Sequence, residues 1–178
     1  MQIRWLPVVI TAVLSAIILV GGWYIYRNVA TVKPLEQIAA TVPGVKEAKP
    51  VISRDTVTIE LKLDKNADVR DVYDTIAREG GSIIGSRELK LQIDESPDQK
   101  RLNDVWSSVL FDVAQAMDHR NYSDIPAAMK RVEQQFKGVQ ASSEMDDVNV
   151  YITLVDGDSA KHIVLPRKPE QLGVWPNA

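Results

Sequence analysis

A chain of 178 residues, 45% hydrophobic and 25% charged, has the makeup of one folded domain or two small ones. Its net charge of −3 is too small to argue for nucleic acid, and no Lys/Arg cluster interleaves with aromatics. Cysteine is absent, which excludes disulfides, thiol chemistry and Cys-ligated metal sites.

Residues 6–26, LPVVITAVLSAIILVGGWYIY, carry no charge. A bilayer core about 30 Å thick needs roughly 20 apolar residues in a helix, so residues 1–27 read as a transmembrane anchor. Arg4 and Arg27 bracket the run, and Trp5, Trp23, Tyr24 and Tyr26 stand at its ends. Amphipathic rings in those places suit the two membrane interfaces. A cleavable signal peptide wants a shorter core and a small-residue exit, and the bulky Trp-Tyr-Ile-Tyr end speaks against one. Arg4 and the amino group on one side balance Arg27 and Lys33 on the other. The short leading tail then favours a signal anchor with the following domain outside the cytoplasm.

After a connector at 28–33, residues 34–95 read as an α-β-β-α-β module. Pro34 suits a first helical turn, Leu35, Ile38, Ala39 and Val42 follow at helical spacing, and Pro43-Gly44 stops the helix. Val45–Ile52 is a first strand, with a turn at Arg54-Asp55. In TVTIELKL, Val57, Ile59, Leu61 and Leu63 alternate with polar residues, as a strand with one buried face does. Asp68 caps a helix carrying Val69, Val72, Tyr73 and Ile76, which is expected to end at Gly80-Gly81. RELKLQI, 87–93, gives a third strand.

SPDQKR, 96–101, marks an internal boundary, and 101–166 reads as an α-α-β-β module packed on the first. Leu102, Val105, Trp106, Val109, Leu110, Val113 and Met117 form the stripe of the longest amphipathic helix, closed by His119, Arg120 and Asn121. Ser123 or Asp124 caps the next helix, whose stripe is Ile125, Met129, Val132 and Phe136. Val148, Val150, Ile152 and Leu154 alternate as a strand, Asp156-Gly157 turns, and Lys161–Leu165 returns. The Pro-rich end, 167–178, reads as a flexible or loosely docked tail. The fold class expected is therefore α+β: an N-terminal transmembrane helix followed by small two-layer helix/sheet modules.

VPGVKEAKPVISRDTVTIELKL, 42–63, and FKGVQASSEMDDVNVYITLV, 136–155, both turn a helix through Gly-Val into strands. Neither a helix with one apolar stripe nor a hairpin with one apolar face can bury itself alone, so each pair predicts a minimal two-layer unit. The order across 34–93 resembles ring-building motifs of bacterial membrane rings and the related BON-type envelope fold. The resemblance rests on LEQIAATVPGVKEAKPVI, with Leu35, Ile38, Pro43, Gly44, Val45 and Ala48 at the corner, and on TVTIELKL and VRDVYDTIA. It covers a third of the chain and implies assembly of envelope complexes through module contacts, without catalysis. The second half departs from the motif.

Chemistry is sparse. The two histidines are His119, at a helix end, and His162, whose alternation with Ile163 and Leu165 predicts a solvent face. Neither has carboxylates at metal-ligand spacing. Glu144, Asp146 and Asp147 are expected at the opposite end of a strand from Asp156 and Asp158, so they do not converge on a cation. Asp68, Asp71 and Asp74 read as a cap and a solvated face. Gly80, Gly81 and Gly85 follow a helix without the GK[ST] of a phosphate loop. No Gly-x-Ser-x-Gly occurs, and no serine has a base to activate it.

No catalytic residue, cofactor or metal is expected. The reading that follows is a single-pass, membrane-anchored, non-catalytic interaction or assembly protein of the bacterial cell envelope. Its partners are the lipid bilayer and other envelope proteins or further copies of itself. Trp106, Val109, Leu110 and Val113 are the candidate contact residues, with core packing their competing use. Two alternatives are a membrane-tethered sensor binding a ligand between the long helix and the sheet, and an envelope hydrolase using carboxylates.

Overall fold

A computed structural model describes residues 5–94 and 99–168, without the side chains of 6–8 and 24–28. Among the described residues the chain is α+β, with six α-helices and two three-stranded sheets.

The first helix, α1 (Trp5–Arg27), runs through a π-helical turn, Asn28–Val32, into α2 (Lys33–Thr41). The connector expected at 28–33 is therefore helical, and Pro34 sits in the first turn of α2, where a missing N–H costs nothing. Of the described side chains of α1, all but Gly21 are exposed. Among the described residues no helix is long and apolar enough to cross a membrane. In α1 the side chains described without a break are those of residues 9–23.

The first unit continues as β1 (Val45–Ile52), β2 (Thr56–Leu63), α3 (Val69–Glu79), α4 (Gly81–Ile84) and β3 (Glu88–Ile93). β1 and β2 form an antiparallel hairpin, and β3 joins β2 in parallel. The crossover through α3 makes the parallel pairing possible, since a tight turn cannot deliver one. Register sets Ala48, Pro50 and Ile52 beside Leu61, Ile59 and Val57 on one face. That face packs on Leu35 and Ala39 of α2 and on Val72 and Ile76 of α3, forming one core. Asp68 caps α3 as its position predicts, accepting a bond from Asp71 N at 3.0 Å. The expected stop at Gly80-Gly81 holds for α3, which ends at Glu79 with Gly80 as its C-cap. Gly80 stays in the right-handed region, α4 follows at once, and Gly85, at φ 63°, provides the reversal.

The second unit comprises α5 (Lys100–Asp118), α6 (Asp124–Gln135), β4 (Val139–Met145), β5 (Asn149–Asp156) and β6 (Ser159–Pro166). It has three strands, not the two expected. β4 was hidden because VQASSEM has only a short apolar pattern, and as an edge strand it has only one neighbour in its sheet to pack beside. Val148, expected to open the central strand, lies in the β4–β5 turn and is exposed. All pairings here are antiparallel, joined by short turns. Val150, Ile152 and Leu154 face Leu102, Val105, Val109 and Val113 of α5 and Ile125, Met129 and Val132 of α6 in a second core.

The helix-to-strand corner recurs closely. Gly44 has φ 89° and Gly138 φ 90°. In each, the residue after glycine donates to the carbonyl three residues back, Val45 N to Val42 O at 3.2 Å and Val139 N to Phe136 O at 3.1 Å. The expected boundary at 96–101 overlaps 95–98, and the expected tail includes 169–178. Both stretches lie outside the described residues.

Candidate functional site

Three features can be weighed as sites: the seam between the units, the outer face of α5, and the groove between α5 and β6. The seam lies on the back of the second sheet. Because β5 alternates, Tyr151, Thr153 and Val155 point away from α5 and α6, toward the β2–α3 loop of the first unit. Register aligns His162 with Thr153 and Val164 with Tyr151. The central strand is thus covered on both sides, and Asn149 to Ile152 are all buried. A period of two with polar alternates conceals this, because the second cover is supplied by residues far away in sequence.

His162 is the clearest departure from expectation. It does not face solvent. Its Nε2 lies 3.2 Å from the Asp64 carbonyl and its Nδ1 3.1 Å from Thr153 Oγ1. A carbonyl only accepts, so Nε2 carries the proton and Nδ1 accepts from the hydroxyl. Burial in this seam pushes the imidazole below its ordinary pKa, only partly opposed by Asp64. Nearby, Lys65 Nζ donates to Asp158 Oδ1 at 2.6 Å and Gly157 O at 3.2 Å, and Gln99 Nε2 donates to Ala160 O. His119 caps the end of α5 and is exposed, as its place in the sequence suggests.

At the other end of the seam is a polar cluster. Asp146 Oδ1 accepts from Val148 N and Asn149 N, both at 2.6 Å, and its Oδ2 accepts from Tyr151 hydroxyl at 2.6 Å. Asn149 Nδ2 donates to the same hydroxyl at 3.2 Å. Tyr73 of α3 tilts against Tyr151 at 55° with ring centroids 6.2 Å apart, an aromatic contact across the units. Arg167 lies over the Tyr122 ring at 4.7 Å and donates to Asp146 O at 2.7 Å. Desolvation opposes ionisation of Asp146, but the bonds from Tyr151, Asn149 and Val148 outweigh it and hold the carboxyl below its ordinary value. Burial pushes both tyrosine hydroxyls up, so they stay protonated. Both carboxylate oxygens are already engaged in fastening a turn, which leaves this cluster a brace and not a reaction centre.

Asp156 pairs with Arg101 at 2.7 Å, and Glu144 lies 4.0 Å from Arg70. Among the described residues no group of three His, Cys, Asp or Glu is arranged to hold a metal ion. A cleft of about 270 Å³ opens beside the seam between the Lys65–Arg70 loop and Ser142, Glu144 and Thr153.

The candidate contact residues of α5 separate. Val109 and Val113 are buried in the core, and Trp106 packs against it half-buried. Leu110 is 38% exposed, and Phe111, which the stripe omitted, is 80% exposed. Between α5 and β6 runs a groove of about 560 Å³, lined by Leu110, Ala114, Met117 and Leu165 with Arg120 and Arg167. Of the expected anchor flanks, Trp5 and Trp23 are exposed. Arg4 and the side chains of Tyr24, Tyr26 and Arg27 lie outside the described residues. The brace residues Asp146, Asn149, Tyr151 and Arg167 were missed as a group, although an Asp whose side chain takes the N–H two residues on, as Asp146 takes Val148 N, is a turn former. No protein-family model matches this chain, and no curated protein matches it.

Proposed function

We propose that the chain is a single-pass, membrane-anchored interaction or assembly protein of the bacterial cell envelope, without catalytic activity. One observation carries the reading. An uncharged stretch, 6–26, lies in a 23-residue helix whose described apolar side chains are exposed and absent from both cores. Apolar surface of that extent is unfavourable in water at about 25 cal/mol per Å² and calls for a cover, and a bilayer provides one of matching length. The helical continuity through the π-turn then holds the first unit against the membrane surface. Two small cores joined by a polar seam offer surfaces for contact.

The test is fractionation of cells making the full chain. It is expected to stay with membranes through carbonate washing, and its release would end this reading. Because the chain has no native cysteine, single cysteines introduced at Ser86 or Ala127 report topology by impermeant labelling of intact cells. Labelling is expected, since the following domain is read as facing outward. The groove of about 560 Å³ supports a second reading, a tethered ligand-binding domain, because its size is that of small-molecule sites and it lies between the long helix and the sheet.

A further inference from the structure

We infer that residues 169–178 of this same chain fill the groove between α5 and β6, held there by Leu172, Val174 and Trp175. The inference goes beyond the membrane reading and does not need the bilayer. The groove, of about 560 Å³, has an apolar wall of Leu110, Val113, Ala114, Met117 and Leu165. Leu110 is exposed, and Met117 and Leu165 are half-buried, so apolar surface stays in water there until something covers it.

The place where β6 delivers the chain points to this occupant. Pro166 and Arg167 are themselves part of the groove lining. Arg167 is fastened on both sides: its N donates to Val148 O at 2.8 Å, its Nη1 donates to Asp146 O at 2.7 Å, and its guanidinium lies over Tyr122. The chain beyond Lys168 therefore sets out from a fixed point at the edge of the groove. The next ten residues, PEQLGVWPNA, carry three large apolar side chains within four positions. Ten residues extend up to about 33 Å, against about 10 Å of helix from Leu110 to Met117. A segment tethered this closely meets its site at an effective concentration on the order of millimolar, so a weak contact is enough. Charge agrees as well. The lining has two cations, Arg120 and Arg167, against one acid, Asp118, and the only charged side chain in 169–178 is Glu170. With the segment in place, a small molecule reaches the groove only by displacing it.

The test uses the full chain in phosphatidylcholine nanodiscs, with no native cysteine to interfere. Val174→Cys is combined either with Ala114→Cys, in the groove, or with Gln115→Cys, the next residue of α5 but exposed on the side of α6. The two pairs are tethered alike, so docking is what separates them. Under mild oxidation the Ala114 pair is expected to close within one chain at least tenfold faster than the Gln115 pair. Adding Leu172→Asp and Trp175→Asp is expected to bring the two rates together with unchanged circular dichroism. Equal rates for the two starting pairs would overturn the inference and leave the groove to a ligand or lipid, and a difference that the aspartates do not reduce would overturn it too. So would disulfides formed mainly between two copies, which would make the occupant a second copy. Release by carbonate would end the membrane reading and leave this difference in rate intact.

Discussion

Gly44 and Gly138 make a matched pair, because their backbones are alike and their surroundings are not. At φ 89° and 90° both positions disfavour any residue with a Cβ, by about 1–3 kcal/mol for such a conformation. A Cβ on Gly138 would meet only Asp156 Oδ1 at 3.8 Å, an ordinary contact. A Cβ on Gly44 would stand 2.7 Å from Ala67 Cβ and 2.8 Å from Ala67 Cα, and backbone cannot swing aside. Overpacking of this kind costs about 1–3 kcal/mol more. The relief of unfolded-chain entropy on Gly→Ala, about 0.4–1 kcal/mol, applies equally to both and cancels in the comparison. Gly44→Ala is thus expected to destabilise its unit by about 1–3 kcal/mol more than Gly138→Ala destabilises its own. Native-state amide exchange on the full chain reads the two units separately, through Ile59 and Leu61 in one and Ile152 and Leu154 in the other. Adding Ala67→Gly to Gly44→Ala removes the Cβ overlap but not the Cα one, so rescue should be partial. Equal losses at the two corners, or a larger loss at Gly138, would refute the argument from close approach.

Two further outcomes follow from the seam and the helix end. The folded pKa of His162 lies below its unfolded value of about 6.5, so the unfolded chain binds the extra proton first. Stability should be level above that value and fall as pH drops through it, and His162→Gln should abolish the slope in denaturant titrations. A parent protein with no slope there would contradict the geometry of Asp64 and Thr153 around the ring. Arg120 has φ 56° and ends α5 with paired bonds, Asn121 N to Ala116 O and Arg120 N to Met117 O, the pattern usually completed by glycine. Since the left-handed region costs an ordinary residue about 1–2 kcal/mol, Arg120→Gly should raise stability by about 0.5–1 kcal/mol after the entropy of the glycine is deducted. A loss of stability on melting would instead show that the Arg120 side chain contributes.

Elements whose burial is decided locally were legible in the chain. Val57, Ile59 and Leu61 alternate because one face of β2 meets α2 and α3, and the stripe of α5 has the spacing of a helix lying on a sheet. β4 escaped notice because an edge strand with Ser142, Ser143 and Glu144 leaves much of its length to water. The helix ending assigned to Gly80-Gly81 holds for α3, but the short helix α4 that follows it was not legible. Glycine permits a reversal without requiring one, and Gly80 is held in the right-handed region with Gly80 N bonded to Ile76 O at 2.8 Å.

The seam was the part that no local pattern could give, and it also separates the two halves that look alike. Each corner delivers a hairpin, but the chain after β2 passes through α3 and returns parallel, while β5 turns back through Asp156–Ser159 and stays antiparallel. The α3 crossover covers one face of the first sheet and leaves the β2–α3 loop projecting. In the second unit α5 and α6 already cover one face of the sheet, so its other face, with Tyr151 at 3% exposure, needs a cover from elsewhere. The loop carrying Asp64 and Lys65, with Tyr73 beyond it, supplies that cover. Lys65 and Asp158, and His162 and Asp64, join elements more than ninety positions apart. A residue such as Tyr151 is apolar in its packing and polar in its bonding, and which of the two matters was decided by a partner that sequence spacing does not name.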